Sequence, residues 1–169
     1  RRNSHTTFVS SGLDYANLQV FAARPESRSK NVRFILTSSN SPFPVPTLTS
    51  SLFFDVYDNN TWNLSVRIKP QGYPMAGTVT GSIDYKYDII FQGTNYILDS
   101  LLDQFSVTAS VSHAVGEKLL RSSKRVYAGA NRQDITGATT HISDVLVSDI
   151  KYWTKYVDDL TLTQHSRDM

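Results

Sequence analysis

The chain has 169 residues, of which 40% are hydrophobic, 11% aromatic and 19% charged, and its formal net charge is +2. This size and apolar content suit one domain with a single core and are too hydrophobic for a disordered segment, while the near-neutral charge argues against a nucleic-acid partner. The absence of cysteine excludes disulfides and zinc–thiolate sites, and no apolar run approaches the ~20 residues that cross a bilayer.

The first part of the chain predicts two short strands and a proline-rich connector. Residues 17–22 and 31–37 have the apolar, β-branched content of strands, and the polar stretch 24–30 between them predicts an exposed loop. Residues 38–46 carry three prolines at alternate positions, each of which removes a donor from a sheet ladder. We therefore expect an extended connector there.

The middle of the chain predicts a hairpin and then two further strands. Residues 51–57 predict the first strand of the hairpin, residues 58–60 have the Asp and Asn typical of a turn, and residues 62–69 alternate apolar and polar side chains. Further strands are predicted for 83–91 and 105–112, with turns at 92–95 and 115–118.

The last third predicts two more β-rich stretches and a single helix. Residues 125–130 predict a short strand, and residues 141–153 predict a long β-rich stretch with a bend near Ser148 and Asp149. Asp158 or Asp159 can cap a helix over residues 160–166, because an Asp oxygen accepts hydrogen bonds from the free amides of the first turn.

Many short strands and one short C-terminal helix favour an all-β fold in which two antiparallel sheets pack face to face. We expect residues 1–169 to form one domain, cut from a longer protein because the chain lacks a starting methionine and ends just after the helix. Arg67 and Lys69 should face solvent, and Trp62 and Trp153 should fill the core. The alternation points this set inward: Leu64, Val66, Ile68, Phe105, Val107, Ala109 and Val111.

Catalytic chemistry has little support in the sequence. The two glutamates, Glu26 and Glu117, lie in predicted turns far apart, and the nearest approach to a glycosidase pair is Asp84 with Asp88. The four histidines lack partners at metal-ligand spacing. We therefore expect a protein that is not an enzyme.

One group of oxygen ligands could hold a metal ion. Asp55, Asp58 and Asn59 cluster around the predicted turn, and a hard cation such as calcium prefers such oxygens. The alternative is an ordinary hairpin turn, which the same residue types favour. No cofactor is expected apart from this possible calcium ion.

Several segments resemble the concanavalin A-like superfamily of lectins and glucanases, specifically its laminin-G-like jelly rolls. Residues 62–70 are similar to that family's opening inner strand, residues 127–130 to its glycine-containing strand, and residues 147–153 to its closing strand. Residues 159–165 match the short helix that follows. The resemblance covers about residues 51–168 and implies a jelly-roll sandwich. The glucanases' catalytic acid pair and the family's tryptophan–histidine strand are missing, so the resemblance implies the fold and not hydrolysis.

The resemblance also implies a non-catalytic structural or adhesion module that contacts other protein subunits or domains. The small net charge and the lack of a long apolar run argue against nucleic-acid binding and membrane insertion. A composition rich in Ser, Thr and Asn and free of cysteine favours an extracellular or virion structural protein, and a phage or virus protein in particular. The alternative is a carbohydrate-binding module, and a glycoside hydrolase is the least favoured. Loop residues that could grip a glycan are Tyr73, Asn95, Tyr96, Asn131 and Arg132.

Overall fold

The structure is a computed structural model that describes residues 18–38, 44–58, 60–72, 85–122, 126–132, 139–140, 142–143 and 146–167. Within these residues the chain forms eight strands and two helices. In chain order they are β1 (Gln19–Ala23), β2 (Val32–Thr37), β3 (Leu48–Phe53), β4 (Trp62–Pro70), β5 (Tyr87–Ile97), β6 (Ser100–Val111), α1 (His113–Arg121), β7 (Asn131–Arg132), β8 (Thr139–Thr140) and α2 (Asp159–Arg167).

The strands form two antiparallel three-stranded sheets and one short ribbon. Strands β1–β3 make the N-terminal sheet, β4–β6 make the central sheet, and β7 pairs with β8. Neighbours along the chain are also neighbours in each three-stranded sheet, so both sheets are meanders. The prediction of a mostly β fold with two antiparallel sheets is confirmed, whereas the jelly-roll topology stays a prediction.

Both sheets contribute to one core. Phe34 of the N-terminal sheet stacks on Phe105 of the central sheet, with ring centroids 5.5 Å apart, and Trp62 packs 4.7 Å from Phe34. The predicted inward set lies on this side of the sheet: Phe105 and Val111 are buried, and Val66, Ile68, Val107 and Ala109 pack against them. The exception is Leu64, which is 39% exposed. The core role predicted for Trp62 is confirmed.

The predicted hairpin over 51–69 is wrong. Strand β3 ends at Phe53 and belongs to the N-terminal sheet, while β4 begins at Trp62 and pairs with β5. Between them Asp55 adopts a φ of +53°, and Phe54 is 69% exposed. The turn chemistry is present, but it carries the chain from one sheet to the other.

The turn predicted at 92–95 is wrong, because these residues lie within β5 and the β5–β6 hairpin turns further along the chain. Strand β5 continues through Gly93 and turns at Leu98 and Asp99, which have φ values of +48° and +62°. A glycine suggested the turn, yet Gly93 serves a packing purpose, because the Phe105 ring occupies the space where a Cβ would sit. Asp99 suits a left-handed position, whereas Leu98 does not.

The first helix replaces a predicted turn at 115–118. Helix α1 buries Leu119 against the core, and its Glu117 pairs with Arg121 at 3.1 Å. Gly116 faces the Tyr87 ring so closely that a Cβ there would lie 2.2 Å from Cδ2. Burial raises the pKa of Tyr87 to about 12. The glycine that suggested a turn is what lets the helix approach β5.

The second helix confirms the prediction over 160–166. The backbone amide of Thr161 donates to Oδ1 of Asp158 at 2.7 Å, which caps α2 and lowers the pKa of Asp158. The strands predicted over 125–130 and 141–153 are wrong: the described residues of these stretches form no strand, and the two short strands β7 and β8 lie between the stretches. Trp153 is also outside the core, since it is 37% exposed and packs on His165.

The outer face of the central sheet is covered by the C-terminal segment, which overturns the expectation for Arg67. Its side chain points away from the core, as the alternation predicts, but is only 7% exposed. It donates to the Val157 carbonyl, the Tyr156 hydroxyl and the Gln92 side chain, and pairs with Asp159 at 2.6 Å. Lys69, two residues on, is exposed as predicted.

Candidate interaction surface

The most unusual surface is the stretch between the two helices, residues 126–155, which we call the apolar arm. Every arm residue whose burial the structure describes is exposed, except Gly129 and Ala130, which are partly buried. Its exposed large hydrophobic residues are Val126, Tyr127, Ile142, Leu146, Val147, Ile150, Tyr152 and Trp153. Monomeric soluble proteins seldom present so many apolar side chains together in one segment.

The arm is attached to the fold at both ends. It begins shortly after α1, whose Leu119 is buried in the core. Directly after it come Tyr156 and Val157, which Arg67 holds on the outer face of the central sheet. The fold therefore fixes the ends of the arm while its described middle contributes nothing to the core.

A shallow open depression lies within the arm itself. Its volume is about 490 Å³, and it is lined by Ala128, Gly129 and residues 147–150. The amide of Ser143 donates to the Gly129 carbonyl at 2.7 Å and thereby ties two parts of the arm together. Gly129 has a φ of +74° and no neighbouring atom near its Cβ position, so a left-handed backbone rather than close packing requires glycine there.

One ion pair is described within the arm. Asp149 lies 3.3 Å from Lys151, and both side chains are exposed, so the pair contributes little to stability. Residues two apart in an extended chain project to the same side. The alternate positions from Val147 to Trp153 therefore form one row, with the charged pair in the middle and an apolar residue at each end.

A second apolar surface lies at the tip of the β5–β6 hairpin. Leu98 is 95% exposed at the turn, and its neighbours on both strands are also exposed. These neighbours are Ile97, Leu101 and Leu102. A leucine with positive φ costs about 1 kcal/mol or more in backbone strain, and this one gains no burial in return. The tip therefore adds to the apolar surface that the described fold leaves open.

The predicted glycan-binding residues fall in different settings. Tyr73 lies outside the described residues, and the side chains of Asn131 and Arg132 are also outside them. Tyr96 is partly buried on β5, with the Arg167 guanidinium 5.5 Å from its ring centre. Asn95 lies within β5 and is fully buried, so it is not the rim residue that the predicted turn implied.

Asn95 is also a polar group without a partner. In the described part of the chain, neither its amide nitrogen nor its amide oxygen makes a hydrogen bond, and neither does the indole nitrogen of Trp62, its cross-strand neighbour. An unsatisfied buried amide costs about 1–3 kcal/mol. It lies at the end of the core nearest the hairpin tip.

Of the predicted calcium ligands, Asp58 has a side-chain partner and Asp55 accepts a hydrogen bond through its backbone. Asp58 pairs with Lys30 at 2.9 Å and raises its pKa, and the Asp55 carbonyl accepts a hydrogen bond from Asn60. Asn59 lies outside the described residues. Over the ranges that the structure describes, no group of three or more His, Asp or Glu side chains is placed to hold a metal ion.

The carboxylates considered for catalysis do not form a described pair. Asp84 lies outside the described residues. Asp88 accepts hydrogen bonds from Gln71 and Ser110, both at 2.7 Å, on the outer face of the central sheet. Glu117 lies on α1, where it pairs with Arg121.

No protein-family model matches the chain, nor does any curated protein or solved structure. Neither of the described helices is long and apolar enough to cross a membrane.

Proposed function

We propose that this protein is a non-catalytic structural module that joins other protein subunits in a larger assembly, and that the apolar arm is its contact surface. One observation carries the proposal: the arm presents eight large hydrophobic residues and, where described, buries none of them. Burial of such residues removes apolar area from water and drives association. The exposed hairpin tip at Leu98 supplies a second contact.

The strand-like sequence of the arm supports this reading. Residues 146–153 are rich in apolar and aromatic residues of the strand type but have no strand neighbour in the described fold. Such a segment is completed by an edge or groove on another chain. We place the assembly outside the cell or in a virion, on the cysteine-free, Ser-, Thr- and Asn-rich composition.

The relation to concanavalin A-like jelly rolls is part of the proposal. Residues 127–130 and 147–153 carry much of the resemblance. Neither segment forms a strand in the described fold, although residues 127–130 directly precede β7. A complete jelly roll would need these residues to join a sheet. Contact with another chain is one way for them to do so.

The proposal predicts that the arm serves association and not folding. We expect the triple variant Ile142→Ser, Leu146→Ser, Tyr152→Ser to lose self-association and subunit binding in analytical ultracentrifugation. Its free energy of unfolding should change by only about 0.5 kcal/mol per site, because these side chains are exposed.

Phe54→Ser is the matched control, because Phe54 is 69% exposed but lies outside the arm. It should leave association unchanged. A triple variant that melts well below the wild type and associates normally would show that the arm belongs to the folding core, and the proposal would fail.

A further inference from the structure

The sequence of the arm identifies a partner for it. We infer that residues 147–153 pair as an antiparallel strand with the same residues of a second copy of this chain, about a two-fold axis at Ile150. This inference rests on the proposed function, in which the arm is a contact surface. It adds the partner, the direction of the pairing and the register.

The register follows from charge and size. With Ile150 opposite Ile150, Asp149 faces Lys151 of the second copy, and Lys151 faces its Asp149. In the same row Val147 faces Trp153, and on the other face Ser148 faces Tyr152. Opposite charges and aromatic–β-branched pairs are the cross-strand combinations that stabilise sheets. Each favourable pair occurs twice, as a two-fold interface requires.

Other registers lack this complementarity. Centring an antiparallel pair on Asp149 or on Lys151 places like charges opposite each other, and so does in-register parallel pairing. Like charges directly opposite destabilise a sheet. The sequence therefore favours one self-pairing over its neighbours.

The structure leaves this segment free to pair. Every residue from 146 to 153 is exposed, and the described fold offers its backbone no backbone hydrogen bond. Asp149 and Lys151 already lie 3.3 Å apart on one side of the chain, as the proposed row requires. On pairing, the two contacts within the separate chains are exchanged for two contacts between chains, and Val147 and Trp153 gain apolar neighbours.

Three variants, and a mixture of two of them, test the register by sedimentation equilibrium. Asp149→Lys alone and Lys151→Asp alone place like charges opposite in each homodimer, and each should weaken dimerisation about tenfold. The double exchange Asp149→Lys, Lys151→Asp should dimerise like the wild type. An equimolar mixture of the two single variants should form a heterodimer, because all four facing charges are then opposite.

A cysteine placed on the axis tests the geometry. The chain has no cysteine, so Ile150→Cys introduces a single thiol. Directly opposite residues in an antiparallel pair have Cα atoms about 4.5–5.5 Å apart, within disulfide range. We expect rapid disulfide-linked dimer under mild oxidation. Leu160→Cys, at a 70% exposed position on α2, should not form it at a comparable rate.

The outcomes separate the inference from the proposed function. A monomeric wild type at millimolar concentration, or single variants that dimerise as well as the double exchange, would overturn the strand pairing. If the single variants dimerise as well as the double exchange but the triple serine variant does not dimerise, the arm remains a contact surface and only the proposed strand pairing is wrong. If the triple variant lost nothing, the proposed function itself would fail.

Discussion

Gly93→Ala should destabilise the protein by about 3 kcal/mol, the upper end of the usual cost of overpacking a core. An added Cβ would lie 2.2 Å from Cε1 of Phe105 and 2.8 Å from its Cζ. The ring cannot move aside, because Phe34, Phe53 and Phe91 surround it with ring centroids 5.0–5.8 Å away. Urea denaturation followed by tryptophan fluorescence measures the loss.

The control for this prediction removes the atoms that clash. Phe105→Leu lacks Cε1 and Cζ, so Gly93→Ala should cost much less in that background than in the wild type. The resulting coupling free energy in a double-mutant cycle should be about 2 kcal/mol. Additive effects of the two substitutions would mean that Gly93 does not make room for the Phe105 ring.

Arg67→Met should cost about 3 kcal/mol and release the C-terminal segment from the central sheet. Arg67 is 7% exposed and makes four polar contacts: with Gln92, with Tyr156, with the Val157 carbonyl and with Asp159. Methionine keeps the apolar stem but leaves buried acceptors without a donor, and hydrogen bonds to a charged group contribute about 1.5–3 kcal/mol each. Asp159, at 78% exposed, loses little.

Two measurements test the prediction for Arg67→Met. Denaturation gives the change in stability, and limited trypsin digestion at Lys155 reports whether α2 has detached. Lys69→Met is the matched control: Lys69 is an exposed cation on the same strand face, its Nζ 5.4 Å from the Tyr156 ring centre. It should change stability by about 0.5 kcal/mol or less. Equal effects of the two substitutions would contradict the role given to Arg67.

The predictions that held depend on neighbours along the chain or on sheet alternation. Residues 62–69 and 105–111 alternate because one face of the central sheet meets the core, and a strand displays that period in its own sequence. The Asp158 cap succeeded for a similar reason, since its partner Thr161 is three residues away.

The predictions that failed depend on distant parts of the chain. Arg67 is buried because residues about 90 positions later cover it, and an alternating pattern carries no trace of that cover. Gly93 and Gly116 suggested turns, but each is a glycine because an aromatic ring occupies its Cβ position. Helix α1 has a helical signal in its sequence, since Val115 and Leu119 are apolar residues four positions apart. Gly116 between them favours a turn and obscures that signal.

For the candidate surface, the sequence indicates the strand-like composition but not the exposure. Residues 141–153 have a composition typical of a strand. Strand propensity measures how well a side chain fits a pleated surface, and it does not say which sheet, or which chain, the segment joins. Within the described fold no neighbouring edge receives them. Their exposure in the fold, which supports the proposed contact surface, is not visible in the sequence.

Amide hydrogen exchange over residues 146–153, compared between dilute and concentrated protein, tests the central claim most directly. We predict fast exchange in dilute solution, because these residues are exposed and lack described backbone partners, and slow exchange when association covers them. Peptides from β5, in the centre of the sheet, should be protected at both concentrations. Protection of residues 146–153 in the dilute monomer, or fast exchange at every concentration, would contradict an arm that is free in one chain and buried between chains.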